Sequence, residues 1–204
     1  QMCIRDSIDA VAHSLSARFN ATLIVANYSR LVIDCNRHPG AAGSIPSVSD
    51  NTVVPGNKNL SDDDTASRKN EIFDAYHSSI GRQISLMRSE NKNPILISLH
   101  SFTPVISGQF RPWEIGILWK ADRRLSAPLI QKLREKKELN IGDNKPYSGS
   151  EPAGYTVAYH AEPLSLPSVA VEFRQDLIEF ESGAVRWANI FGDALDHVLA
   201  TKIG

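Results

Sequence analysis

A chain of 204 residues with 42% apolar and 22% charged residues has the length and composition of one globular domain with one core. A net charge of −1 and scattered Lys and Arg exclude a strong field for nucleic acid or an anionic membrane surface, so neither is expected as a partner. No apolar run approaches the ~20 residues of a membrane span, and two cysteines, Cys3 and Cys35, cannot build a disulfide framework, which makes a reducing, cytoplasmic setting the default expectation.

The stretch Gln1–Ser7 does not join the helical pattern after it and lacks the regions of a signal peptide. It reads as a non-native scar, with residues 8–204 as a single α/β domain. Ile8, Val11, Ala12, Leu15 and Phe19 recur at helical spacing and predict a helix that stops near Asn20. Thr22–Ala26 is a β-branched apolar run and reads as a buried strand, and Leu31–Ile33 as a second one ending in Asp34-Cys35-Asn36-Arg37. His38 to Leu60, dense in Gly, Pro, Ser and Asn, reads as a long ordered loop.

Ser61 with Asp64 is an acidic version of a capping box. Behind it Ile72, Phe73, Tyr76, Ile80, Ile84 and Met87 mark one face of a long helix ending near Asn91. Ile95–Leu99 is a continuous apolar strand that delivers His100 at its carboxyl end, and Ile115–Trp119 is another. Leu125, Leu129, Ile130 and Leu133 give a short amphipathic helix. Tyr155–Tyr159 reads as extended at a sheet edge, and Val169–Phe173 is a strand carrying Glu172 and Arg174. Ala184, Ala188, Phe191, Leu195 and Val198 define a last helix. Alternating helices and nearly all-apolar strands predict a three-layer α/β fold, a mostly parallel (mixed) sheet with helices on both faces. Ligands of such folds gather outside the carboxyl ends of strands, where Asn36, Arg37, His100, Glu172 and Arg174 are expected.

Each of these residues has two readings. His100 is a zinc ligand or general base, or else a histidine hydrogen-bonded at a strand end. Glu172, a carboxylate inside an apolar strand, is a general base for a bound water or the buried partner of Arg174, which shares its face at i+2. Asn36-Arg37 is a clamp for a carboxylate, Arg offering a fork matched to two oxygens, or a turn in which Asp34 and Asn36 satisfy local backbone groups. Arg111 is a second anion binder or part of a surface loop. His77, on the apolar face of the long helix, reads as a core histidine. Nothing local decides His160. Cys35 has no base near it in sequence and reads as inert.

Several stretches together resemble the N-formylglutamate amidohydrolase family. They are Tyr28-Ser29-Arg30-Leu31-Val32-Ile33-Asp34-Cys35-Asn36-Arg37, Val54-Pro55-Gly56-Asn57 followed by Leu60-Ser61, Leu99-His100-Ser101-Phe102-Thr103-Pro104, Arg111-Pro112-Trp113-Glu114-Ile115-Gly116-Ile117-Leu118, Lys145-Pro146-Tyr147-Ser148 and Val171-Glu172-Phe173-Arg174-Gln175-Asp176-Leu177-Ile178. More distantly, Asn36-Arg37, His100 and Glu172 in that order look like the zinc carboxypeptidases. The resemblance implies hydrolysis of the amide bond of an N-acyl amino acid, N-formyl-L-glutamate giving formate and glutamate. By that likeness Asn36 and Arg37, with Arg111 and Arg174, bind substrate carboxylate, His100 binds zinc and Glu172 is the catalytic base. It also implies a zinc-exopeptidase-like fold. A Cys-Glu-His-Ala-type motif and an Asp-x-Gly turn that the family places earlier are not in this sequence. The remaining metal ligands and a first strand are therefore expected in a segment that precedes it. Related zinc deacylases on other acidic substrates, and an inactive fragment that only binds carboxylates, remain the alternatives. The sequence leaves the oligomeric state open.

Overall fold

The computed structural model describes residues 2–150 and 154–201. In chain order the elements are helix α1 (Met2–Phe19), a hairpin of β1 (Val48–Ser49) and β2 (Thr52–Val53), helices α2 (Asp62–Arg68) and α3 (Ala75–Ser89), strand β3 (Leu96–Phe102), and a hairpin of β4 (Val105–Ile106) and β5 (Gln109–Phe110). Strand β6 (Ile115–Leu118), helix α4 (Ser126–Leu133), strand β7 (Ile141–Asp143), helix α5 (Tyr155–His160), strand β8 (Ser168–Arg174) and helix α6 (Glu181–Ala200) follow. Among the described residues no helix is long and apolar enough to cross a membrane. The chain divides into two compact units. One comprises Gln1–Leu23, Ile95–Ala153 and Ser165–Gly204, the other Ile24–Pro94 and Gly154–Leu164.

The first unit is built on a four-stranded sheet in the order β3-β8-β6-β7. β3 runs parallel to β8 and β6 parallel to β7, while β8 and β6 are antiparallel. The architecture is thus the expected mixed α/β one, with a mostly parallel sheet and helices. Side chains alternate across a strand, so register assigns each residue to a face. One face carries Val169, Val171 and Phe173 of β8, Ile115 and Ile117 of β6 and Ile141 of β7, all buried. Helices α1, α4 and α6 cover it with Val11 and Leu15, Leu129 and Leu133, and Trp187, Phe191, Leu195 and Val198. Phe191 is fully buried and meets Phe173 edge-on at 5.9 Å. Burying one such side chain stabilises by roughly 1.5–3 kcal/mol. At the solvent edge of the α1–α6 contact, Arg18 bonds both Asp193 and Asp196. The opposite face carries the polar residues described below.

In the second unit Ser61 caps α2 as its sequence predicts. Its Oγ accepts from the Asp64 N–H at 3.0 Å and donates to the Asp64 carboxylate at 2.7 Å. The long helix read from Ile72 to Met87 is present but interrupted. A π-helical turn over Lys69–Asp74 joins α2 to α3 and rotates the side chains beyond it by the extra residue it accommodates.

Several expectations are corrected. Helical backbone begins at Met2, not Ile8. Of the stretch read as a scar, Gln1 and the side chains of residues 2–7 lie outside the described residues. Thr22–Ala26 forms no ladder; an apolar β-branched run becomes a strand only where a neighbour pairs with it. Leu31 and Val32 lie in a turn rather than a strand and Ile33 joins no ladder, because the carbonyls of Leu31 and Val32 are taken by side chains, the Asn57 amide at 2.7 Å and Arg68 at 2.9 Å. Tyr155–Tyr159 is helical. Its pairs Tyr155/Tyr159 and Thr156/His160 repeat at i+4, and the two tyrosine rings stack at 4.9 Å. β7 and the two hairpins carry too few residues to stand out in the sequence.

Candidate functional site

His100 and Glu172 are register partners on the parallel strands β3 and β8. Paired residues point to the same side, so imidazole and carboxylate stand side by side on the sheet face opposite the apolar core, about 4.8 Å apart at the backbone. The expectation that both sit at strand ends is corrected. Each lies two residues inside its strand and projects from the face. Glu172 is buried, and the Nε2 of His100 lies 2.8 Å from the hydroxyl of Ser98, its neighbour along the same face.

The row continues across the sheet, because Glu172 pairs with Gly116 of β6 and Gly116 with Gly142 of β7. Neither position has room for a side chain. A Cβ on Gly116 would fall 2.0 Å from the Lys145 carbonyl oxygen, and one on Gly142 would fall 2.5 Å from it. The backbone of the segment after β7 therefore lies directly on the two glycines, beside Glu172. This is the Lys145-Pro146-Tyr147-Ser148 stretch singled out in the sequence.

That segment also reaches Arg111. The Arg111 guanidinium is buried, not part of an open surface loop. Its Nη1 donates to the Tyr147 hydroxyl at 2.7 Å and its Nε to the Thr103 carbonyl at 2.8 Å. Nη2 donates to the Thr103 hydroxyl. Its faces lie over the rings of Phe102 and Tyr147 at 5.0 and 5.4 Å. Among the described residues every acceptor of Arg111 is neutral. A buried guanidinium without a carboxylate is costly, and an anionic ligand would offset that cost. Arg174, the last residue of β8, is buried too, but it is already engaged: its Nε donates to Asp176 at 2.8 Å and its Nη1 to the Pro112 carbonyl at 3.3 Å.

Asn36 and Arg37 belong to the second unit. Asp34 organises them. Its Oδ1 accepts the Asn36 N–H at 2.9 Å, and its Oδ2 lies 3.5 Å from the Arg37 Nε. The turn read from the sequence is therefore present, and it leaves room for the clamp. The Nη groups of Arg37 engage nothing among the described residues, the side chain is 39% exposed, and a Cβ on Gly43 would crowd its Cδ and Nε at 3.1 Å. The Asn36 backbone carbonyl accepts the Tyr155 N–H at 3.1 Å and its Oδ1 the Thr156 N–H at 3.0 Å, capping α5.

His77 is the buried core histidine that its position on α3 predicts. Its Nε2 lies 2.8 Å from the Cys35 carbonyl and its Nδ1 2.9 Å from the Nε2 of His160. A carbonyl only accepts, so the His77 Nε2 carries its proton and its Nδ1 receives one from His160. Both rings are neutral in that pattern. Burial pulls the pKa of His77 down, the Cys35 carbonyl and Asp74 partly opposing it, and burial together with His77 brings His160 down to about 4. Burial, with Asp34, pushes the Cys35 thiol up to about 11, which suits the inert role read for it. Sequence reasoning gave no sign of the His77–His160 pair, whose members lie 83 residues apart.

Among the described residues no group of three or more His, Cys, Asp or Glu lies close enough to hold a metal ion. Catalytic zinc sites use three protein ligands and a water, so His100 and Glu172 do not by themselves fit one.

The fold is thus α/β, with a histidine and a buried glutamate paired on the sheet. The model of the N-formylglutamate amidohydrolase family matches residues 1–179, and the chain belongs to that family. It is similar over 96% of its length to the gene product Atu2144 from Agrobacterium tumefaciens, at 32% identity and a TM-score of 0.91, covering 77% of that chain. Its fold is also that of the N-formylglutamate amidohydrolase from Ralstonia eutropha JMP134. There the TM-score is 0.68 and the identity 17%, over 96% of this chain and 82% of that one. No curated protein matches the chain.

Proposed function

We propose that the chain carries the working residues of an amidohydrolase that cleaves N-formyl-L-glutamate to formate and L-glutamate. The observation that supports it best is the register pairing of His100 with Glu172 on one sheet face. Glu172 acts as general base. It takes a proton from the attacking water as the C–O bond forms, then passes it to the amine nitrogen as the C–N bond breaks. Glu172 is buried and stands beside the imidazole of His100. Arg37 with Asn36, and Arg111, bind substrate carboxylates through forked donors. Arg174, tied to Asp176, supports the strand end that carries Glu172 rather than offering a free fork.

Zinc is part of this proposal through the family resemblance, with His100 as the residue that would hold it. The described residues do not complete a ligand set, and the roles given to Glu172 and the guanidinium groups do not run through the ion.

Formate release from N-formyl-L-glutamate tests the assignment. Glu172→Gln keeps size and hydrogen bonding but cannot take a proton, so kcat should fall by about 10² or more with KM little changed. With zinc supplied in excess and the unsubstituted chain releasing formate, turnover by that variant close to it would overturn the role of Glu172. A panel of N-formyl, N-acetyl and N-succinyl amino acids would establish the acyl group.

A further inference from the structure

The second unit holds one arrangement that the proposed chemistry does not use. The peptide before the Asn36-Arg37 clamp is fixed by a histidine from α3, and the peptide of Asn36 itself by the first turn of α5. The Cys35 carbonyl receives the His77 Nε2–H at 2.8 Å, and the Asn36 carbonyl and side-chain oxygen receive the N–H groups of Tyr155 and Thr156. His77 is itself held. His160 donates to its Nδ1, the two rings lying edge to edge with centroids 5.1 Å apart and planes 18° from parallel. Phe73, Tyr76 and Tyr155 close around its ring at 4.3, 5.1 and 4.8 Å. A core histidine needs only satisfied nitrogens. This one spends its donor on the single carbonyl whose orientation sets the direction of the next residue, Asn36.

We infer that His77 is a positioning residue for substrate binding, which fixes the Cys35–Asn36 peptide so that Asn36 and Arg37 present their donors to an anionic carboxylate in one geometry. The inference rests on the reading of Asn36-Arg37 as a carboxylate clamp. Arg37 is tied through its Nε to Asp34 and lies against Gly43, and its side chain is 39% exposed. A rotation of the preceding peptide would therefore move the whole fork, and preorganisation of such a fork is what a misplaced peptide removes.

The test is calorimetric binding of L-glutamate to the intact chain at 10 °C, with circular dichroism showing each variant folded. His77→Gln places an amide N–H near the position of Nε2, whereas His77→Asn is one methylene short of the Cys35 carbonyl. The Gln variant should bind within about threefold of the unsubstituted chain and the Asn variant about tenfold or more weakly. Equal weakening by both variants, or no weakening by either, would overturn the positioning role. Arg37→Met separates the two ideas. If it abolishes binding while His77→Asn does not, the clamp stands and the positioning role falls; if it binds glutamate normally, the clamp reading falls and this inference with it. Should His77→Asn fail to fold, His77→Phe is the variant that removes the donor while filling the aromatic pocket, with the same tenfold loss expected.

Discussion

At the scale of single residues, the unusual groups are histidines held neutral. His160 binds its proton only near pH 4, because burial and His77 disfavour the charged ring, whereas an unfolded chain's histidine binds near 6.5. Between those values the unfolded state holds the extra proton, so stability is fully present above about 6.5 and is lost as pH falls toward 4. His77, lowered for the same first reason, adds in the same direction. Urea titrations at pH 7.5 and 4.5 should show lower stability at the acid pH, His160 contributing a loss of up to about 3 kcal/mol, and His160→Gln should flatten that dependence. An unchanged slope in the variant would show that other groups carry it. His77 was legible as a core residue from its place among Phe73 and Ile80. Its partners were not, because a hydrogen bond between residues 77 and 160 leaves no local pattern.

At the scale of elements, regular periodicity was readable and cooperative pairing was not. α1, α4 and α6 announce themselves by apolar residues at i, i+3 and i+4, and β3, β6 and β8 by short, mostly apolar runs. Leu31–Ile33 looks the same to such a reading, yet its carbonyls are claimed by Asn57 and Arg68 and no ladder forms. Tyr155–His160 fails in the opposite sense, since the cap that lets the helix start is Asn36, far away in sequence. The glycine row of the sheet is a further element-level feature, and it makes a direct prediction. In Gly142→Ala the new methyl would fall 2.5 Å from the Lys145 carbonyl oxygen and 3.0 Å from its Cβ. The segment must lift, at a cost of about 2 kcal/mol or more and a fall in Tm of roughly 4–8 °C. A thermal melt indistinguishable from that of the unsubstituted chain would mean that the segment yields freely.

At the scale of the molecule, the family and the α/β architecture were both legible, because the matching stretches keep their order along the chain and the strands are apolar enough to require cover. Of the candidate site, His100 and Glu172 fall side by side on the sheet, and Arg111 is a buried guanidinium among neutral acceptors. Asn36 and Arg37 form an ordered turn in the other unit. The ligand count bears on metal affinity. With fewer than three suitable side chains gathered among the described residues, the chain dialysed against micromolar zinc should retain less than about half an equivalent by elemental analysis. A full equivalent, lost in His100→Ala, would reveal a coordination set beyond these residues.

The partnership of β3 with β8 also imposes an order on events during synthesis. The strands that lie adjacent in the sheet are far apart in the gene, with the whole of β4 to α5 translated between them. A nascent chain holding β3 but not yet β8 has made its histidine without the carboxylate that stands beside it. α6, which closes the apolar side of the sheet, emerges later still. The pair is thus assembled only once β8 has been made, and a nascent chain that stops before Glu172 holds the imidazole alone.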